Sequence, residues 1–371
     1  MIAKEAALKE AALTVRSVRV RTALVPMRRP LAVSTGQVTA APLVLVDLET
    51  ADGPTGQAYI FVYAPFALAP VARLIADFGE IISGAALAPL QIEAMLQARL
   101  RLIGAQGLVL MALAAVDMAA WDALAKAHEL PLARLLGGTP QKIPAYNSNG
   151  LGIIGSARAS GEARELLAPG FRGVKVRLGY PDAQTDLDVV RAVRAAVGSD
   201  VSLMADYNQA HSVAEAIRRG ALVDNEGLLW LEEPIAADDV RGHAEVRDKL
   251  RTAIQTGENW WGPRPMAEFL TSRACDYAMP DAMKIGGVTG WLGAAALANA
   301  SRVPMSSHLY PEISAHLLSV TPTRHWLEYV DWAEPILREP LQIQGGDALA
   351  SDRPGSGIAW NEDAVAKYQV K

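Results

Sequence analysis

The chain is poor in features that would tie it to oxidative folding, membranes or nucleic acid. Its single cysteine, Cys275, excludes an internal disulfide framework and fits a reducing compartment, and its apolar neighbours predict a buried, inert thiol. Charge is nearly balanced, with 35 basic against 40 acidic residues and a net charge of −5, so neither nucleic acid nor an anionic membrane is expected as partner. The opening MIAKEAALKEAAL carries Lys4, Glu5, Lys9 and Glu10, lacks the apolar core of a secretory signal, and reads as a helical extension. The longest charge-free stretch, Gly53 to Ala72, is broken by Pro54, Pro65 and Pro70 and is excluded as a membrane helix. No glycine-rich phosphate loop follows an early strand, which counts against a doubly wound nucleotide-binding sheet. A cytoplasmic protein acting on a small molecule is expected.

With 371 residues, 51% of them hydrophobic, the chain is long enough to bury more than one core. From Val15 to Tyr63 the pattern is alternating and β-branched, which predicts an antiparallel sheet. Helical spacing follows over Ala67 to Ile82, Leu90 to Ile103 and Gly107 to His128. Strands followed by helices predict an α+β first domain over 1–140. From Ile143 short apolar strands alternate with amphipathic helices such as Asp186 to Val197 and Val213 to Asp224, the pattern of a (β/α) barrel over 141–340. The strands are IPAYNS, GVKVRL, VSLMAD, LLWLEE, TAIQTGEN, YAMPDAM, VPMSSH and HWLEYV. The tail, 341–371, has turn chemistry (GGD, RPGSG) and is expected to fold back on the first domain.

Asp206, Glu232 and Glu258 each close one of these runs, 26 residues apart, the length of one strand, one helix and two loops. On parallel barrel strands all three carboxylates project at one face, where barrel enzymes place their chemistry. Without a cation they would repel, and an all-oxygen set with no Cys or His suits Mg2+ better than Zn2+. The register continues through Asp281, His308 and Glu328, while GVKVRL sends Lys175 and Arg177 from the same face of one strand. Such an array suits removal of a proton beside a carboxylate. The cation would stabilise the enediolate charge, Lys175 would neutralise the second oxygen, and His308, oriented by Asp281, would serve as general base. Glu328, if held protonated by burial, would donate a hydrogen bond to the growing oxyanion.

The stretches APLVLVDL, AVDMAAWDALAK, DYNQ, LEEP, GENW, PDAMKIGGVTGW, MSSHL, EISAHLL and HWLE resemble the enolase superfamily, specifically its mandelate racemase subgroup, over nearly the whole chain. The resemblance implies an α/β protein: a (β/α)7β-type TIM barrel behind an N-terminal α+β capping domain. It implies Asp206, Glu232 and Glu258 as Mg2+ ligands, His308 with Asp281 as base dyad, Glu328 as electrophilic acid and Lys175 on the substrate carboxylate. Ser148, Asn208 and Lys284 look like supporting polar contacts to the substrate. Residues 30–38 (PLAVSTGQV) resemble a lid loop, with Leu31, Val38 and Tyr63 as an apolar wall and Thr35 making it slightly more polar. A homo-oligomer, often an octamer, is also implied.

One position departs from the subgroup's Lys-x-Lys pattern: the second lysine, which serves the face opposite the histidine, is replaced by Arg177. A guanidinium is a poor base at neutral pH, which puts two-base racemisation in doubt and leaves enolisation intact. A structural cation or a carboxylate clamp is at least as good a reading of Arg177. The favoured expectation is a racemase or isomerase of a 2-hydroxy acid, with an aromatic or medium-sized side chain. Dehydration of a dihydroxy or sugar acid with His308 as single base is the alternative, and a metal-holding barrel with little catalysis the second. His128, His211, His243, His316 and His325 stand in no such constellation and read as structural.

Overall fold

The computed structural model describes residues 13–33 and 36–370; the expected N-terminal helical extension and Thr35 lie outside them. The first sheet is built from β1 (Val15–Val33), β2 (Gly36–Thr50) and β3 (Gly56–Phe61), antiparallel and in that order. Residues 41–48 of β2 are buried without interruption. Asp47 among them is tolerated because Arg21 and the Trp360 indole N–H, at 2.9 and 2.7 Å, satisfy its oxygens. Helices α1 (Leu68–Ile82) and α3 (Leu108–Ala127) cover the sheet, and α2 (Pro89–Leu100) packs on both to complete the capping domain. Gly56 is required where β3 meets α3, since a Cβ there would lie 1.9 Å from the Ala119 carbonyl oxygen. Helix α3 is long and apolar enough to cross a membrane, yet 78% of its apolar window is buried inside the fold. It is a core helix, sandwiched between the sheet and the barrel helix Gly287–Ser301.

The barrel strands are β4 (Lys142–Asn147), β5 (Gly173–Arg177), β6 (Ser202–Asp206), β7 (Leu231–Glu232), β8 (Ile254–Thr256), β9 (Tyr277–Ala278) and β10 (Leu327–Tyr329). They pair in parallel from β4 to β9, and β10 returns to β4. The expected strand VPMSSH does not form as a regular strand. It makes only single bridges, Ala278 to Met305, Asp281 to His308 and Met305 to Arg324. Pro304 has no N–H to give, and the N–H groups of Met305 and Ser306 turn to opposite neighbours, Thr323 and Ala278. The segment still fills the seventh stave.

The tail divides rather than folding back as a unit. β11 (Gln342–Gln344) and β12 (Asp347–Leu349) form a hairpin that pairs antiparallel with barrel strand β4. Only the last part returns to the capping domain, where β13 (Gln369–Val370) pairs with β1.

The hairpin of β1 and β2 carries the segment expected to form a lid. Pro26 faces Ala40 but Leu31 faces Val38, so β1 bulges between two prolines. Two arginines in the bulge reach the barrel. Arg28 lies 3.5 and 3.1 Å from Asp331 and Glu334, and Arg29 2.9 Å from Glu165.

Candidate active site

At the carboxyl ends of the barrel staves the backbone turns sharply just after three of the functional side chains. Non-glycine residues with left-handed φ cluster there: Asn208 (45°) and Gln209 (64°) after Asp206, Glu233 (36°) after Glu232, and Leu309 (49°) after His308. This conformation costs free energy for any residue with a Cβ and persists where the surroundings over-determine it. These turns help to aim Asp206, Glu232 and His308 into one space, and Glu258 joins them from the end of β8.

Asp206, Glu232 and Glu258 are buried, and each offers a carboxylate oxygen within 4.8 Å of the others. Asn208 donates to both oxygens of Asp206, and the Trp230 indole N–H donates to Glu232 at 3.0 Å. Lys175 inserts its ammonium among them, against Glu232, 3.4 Å from Asp206 and 2.9 Å from Glu328. Burial opposes its charge, but Glu232 and Glu328 outweigh this and hold Lys175 well above the usual lysine range. Positive charge still falls short. Burial lifts the Glu232 carboxyl above its ordinary range despite Lys175, and Asp206 and Glu328 add to the rise. A hard divalent cation at this point supplies what the carboxylates lack, so the oxygen-only donor set fits Mg2+.

His308 completes the array. One Asp281 oxygen is held by the backbone N–H groups of Met283 and Lys284, and the other lies 2.7 Å from His308 Nδ1. That carboxylate fixes the proton on Nδ1 and leaves Nε2 as the basic nitrogen, 3.3 Å from Glu258 and 3.8 Å from Glu328. Burial works against the imidazolium, but Glu258, Glu328 and Asp281 outweigh it and raise His308 to about 9. Glu328 accepts from the Leu309 N–H at 2.9 Å. Burial does favour the neutral form, but Lys175 and His308 together hold this carboxyl well below the usual range.

Above these residues opens a cavity of about 670 Å³. Lys175, Arg177, Asp206, Asn208, Glu258, Lys284, His308 and Glu328 line it from the barrel, and Leu31, Val38 and Tyr63 from the capping domain. Glu232 and Asp281 lie beneath, fully buried. Ser148 does not face the cavity: its carbonyl and hydroxyl receive Arg177, which also reaches the Gly150 carbonyl, at 2.8 to 2.9 Å. It supports Arg177 rather than a substrate. Lys284 donates to Asn259 at 2.6 Å and sits 4.4 Å from the centre of the Tyr63 ring, tying the barrel to the capping wall. Sequence reasoning missed Asn259, which donates to Glu233 and follows Glu258 directly in the chain. It also missed the apolar groups Phe61, Phe66, Met111 and Trp332, which no local motif marks.

A capping α+β domain over a barrel with three metal-ready carboxylates defines an enzyme of the enolase superfamily. The chain belongs to the mandelate racemase / muconate lactonizing enzyme family: residues 15–137 match its N-terminal domain and 158–364 the enolase C-terminal domain-like fold. Among solved structures it is similar to an enolase from Bradyrhizobium complexed with magnesium and mandelic acid. That protein is 44% identical, with a TM-score of 0.94, over 98% of this chain and all of the other. Among curated proteins it is 31% identical to 3,6-anhydro-alpha-L-galactonate cycloisomerase of Streptomyces coelicolor, over 95% of this chain and 99% of that one. It is 33% identical to L-talarate/galactarate dehydratase of Salmonella typhimurium, over 71% of this chain but only 66% of the relative.

Proposed function

We propose that this chain removes the α-proton of a 2-hydroxy carboxylate from one face only, with His308 as the base, and that loss of a 3-hydroxyl then yields a 2-keto acid. The observation that carries this reading is the wiring of the two basic side chains near the reacting carbon. His308 is paired with carboxylates through both ring nitrogens, whereas Arg177 is pinned to two carbonyls and a hydroxyl. One group can exchange a proton near neutral pH; the other cannot.

Asp206, Glu232 and Glu258 would hold Mg2+, which would supply Lewis-acid stabilisation of charge on the substrate oxygens. Lys175, kept charged by its acidic neighbours, receives the substrate carboxylate. His308 Nε2 takes the α-proton, and Asp281 stabilises the imidazolium that results. The same imidazolium passes the proton to the departing 3-hydroxyl as the carbon–oxygen bond breaks, releasing water and an enol that tautomerises to the 2-keto acid. Lys284, Asn208 and the wall of Leu31, Val38 and Tyr63 hold the rest of the substrate.

Incubation with Mg2+ and a library of 2,3-dihydroxy acids tests the reading through a carbonyl reagent. A 2-keto product is expected from at least one acid; metal-loaded protein that neither forms product nor exchanges any α-hydrogen with deuterated solvent contradicts it. A second reading, racemisation of an aryl 2-hydroxy acid, is favoured by the apolar capping wall and by the mandelic acid bound to the Bradyrhizobium relative. The paired His308 and Asp281 argue against a metal-holding barrel without catalysis. We also infer a homo-oligomer, supported by Phe66, Leu102 and Ile103, which are 84%, 99% and 74% exposed. A cytoplasmic setting is supported by the unpaired, buried Cys275.

A further inference from the structure

Glu232 is the member of the acidic triad that lies beneath the cavity, and its two oxygens keep different company. Oε1 meets the ammonium of Lys175, which lines the cavity and stands 3.4 Å from Asp206. Oε2 faces the barrel interior, where it accepts from the Trp230 indole N–H at 3.0 Å and from the Gln255 amide at 3.3 Å. Both donors are fully buried and neither lines the cavity. One oxygen is thus turned to the cation site and the other to the core.

The two donors come from adjacent staves and are held in place by packing. Trp230 lies two residues before Glu232, so both side chains leave the same inward face, and Gln255 on β8 is the Cα partner of Glu232 on β7. The Trp230 ring stands edge-on to Tyr146 and Tyr277, at interplanar angles of 79° and 76°, which sets the direction of its N–H. The Gln255 amide nitrogen also lies 2.9 Å from the Met279 sulfur. Asp206 and Glu258 differ: they take their amide donors from the chain beside them, Asn208 and Asn259.

A carboxylate with two N–H groups on one oxygen lends a cation only the other, unless it gives those bonds up and leaves buried donors unpaired at a cost in free energy. The number of oxygens offered separates hard cations. Mg2+ demands a compact octahedron, whereas the larger Ca2+ takes more ligands and accepts both oxygens of one carboxylate.

We propose that Trp230 and Gln255 are positioning residues that act through Glu232: by holding Oε2 they confine this ligand to a one-oxygen grip and make the site select Mg2+ over Ca2+. The proposal goes beyond the proton-abstraction reading and needs only the cation site.

Titration of Ca2+ into the Mg2+-loaded protein, followed by calorimetry, reads the ratio of the Ca2+ to the Mg2+ dissociation constant. Wild type is expected to hold Mg2+ the more tightly; Ca2+ binding as tight or tighter overturns the proposal. Trp230→Phe keeps a ring in the aromatic cluster and deletes the donor. Its ratio is expected to fall by about tenfold, and that of Gln255→Met, which loses the longer bond, by less. A role confined to packing moves both ions alike, so an unchanged ratio in Trp230→Phe overturns the proposal. If the variants do not fold, a crystal structure of the wild-type Mg2+ complex decides. Glu232 ligating through Oε1 alone, with Oε2 still on Trp230 and Gln255, supports the proposal; ligation through Oε2 or through both oxygens overturns it. No substrate enters these measurements, so their failure is distinguishable from failure of the proton-abstraction reading.

Discussion

His308 and Arg177 face one cavity from different staves of the barrel, and their surroundings differ in kind. The histidine side is crowded with acid: Asp281 at 2.7 Å, Glu258 at 3.3 Å and Glu328 at 3.8 Å. The arginine is met by two carbonyls and a hydroxyl. Carboxylates tune a titrating group and stabilise its charged form during a reaction; carbonyls merely orient a cation that is charged already. The difference teaches that a barrel mouth with basic groups at two positions need not be a two-base site.

The strongest way to break this comparison is to remove its active side. His308→Asn is expected to lower α-hydrogen exchange by about 10²- to 10⁴-fold, read by NMR in deuterated buffer. Exchange that survives intact would transfer the base role elsewhere.

The next test sharpens the electrostatic half. Glu258 is the largest of the influences that raise His308 to about 9, and Glu258 is also in the cation site. A cation there offsets that attraction, so His308 titrates lower with Mg2+ than without it, and Mg2+ binding expels a proton. Affinity for Mg2+ should therefore rise as pH increases toward about 9, by up to about tenfold per unit. Calorimetry in buffers of different ionisation enthalpy reads the proton release directly; binding indifferent to pH would contradict it.

Arg177→Lys acts on the other side. Exchange of the enantiomer whose hydrogen faces His308 should change by less than about tenfold, while exchange of the opposite enantiomer appears where none was measurable. Polarimetry and NMR together separate the two. The smallest effect belongs to the capping wall. Tyr63→Leu removes the ring over Lys284 and should raise KM by about two- to fivefold with kcat little changed.

Much of the site was legible in the sequence because barrel geometry turns chain spacing into spatial register. A carboxylate every 26 residues is one stave apart, and Asp206, Glu232 and Glu258 do converge. The dyad of Asp281 and His308 follows the same rule. What escaped depends on partners that spacing does not name. Ser148 sits at a strand end like the others, but its polar groups are already taken by Arg177. Lys175 and His308 lower the Glu328 carboxyl against the effect of burial, and chain spacing names neither partner. The seventh stave and the divided tail turn on which backbone groups find partners, and Pro304 and the pairing of β12 with β4 settle that only in the folded chain. The apolar wall unites Phe61, Met111 and Trp332 from three distant segments, which no local pattern foretells.

The most direct measurement follows the α-hydrogen of each enantiomer of a turned-over hydroxy acid in deuterated buffer with the Mg2+-loaded protein. A single competent base predicts that one enantiomer exchanges or reacts and its mirror image retains its hydrogen. Comparable exchange in both enantiomers would contradict it and restore a second base opposite His308.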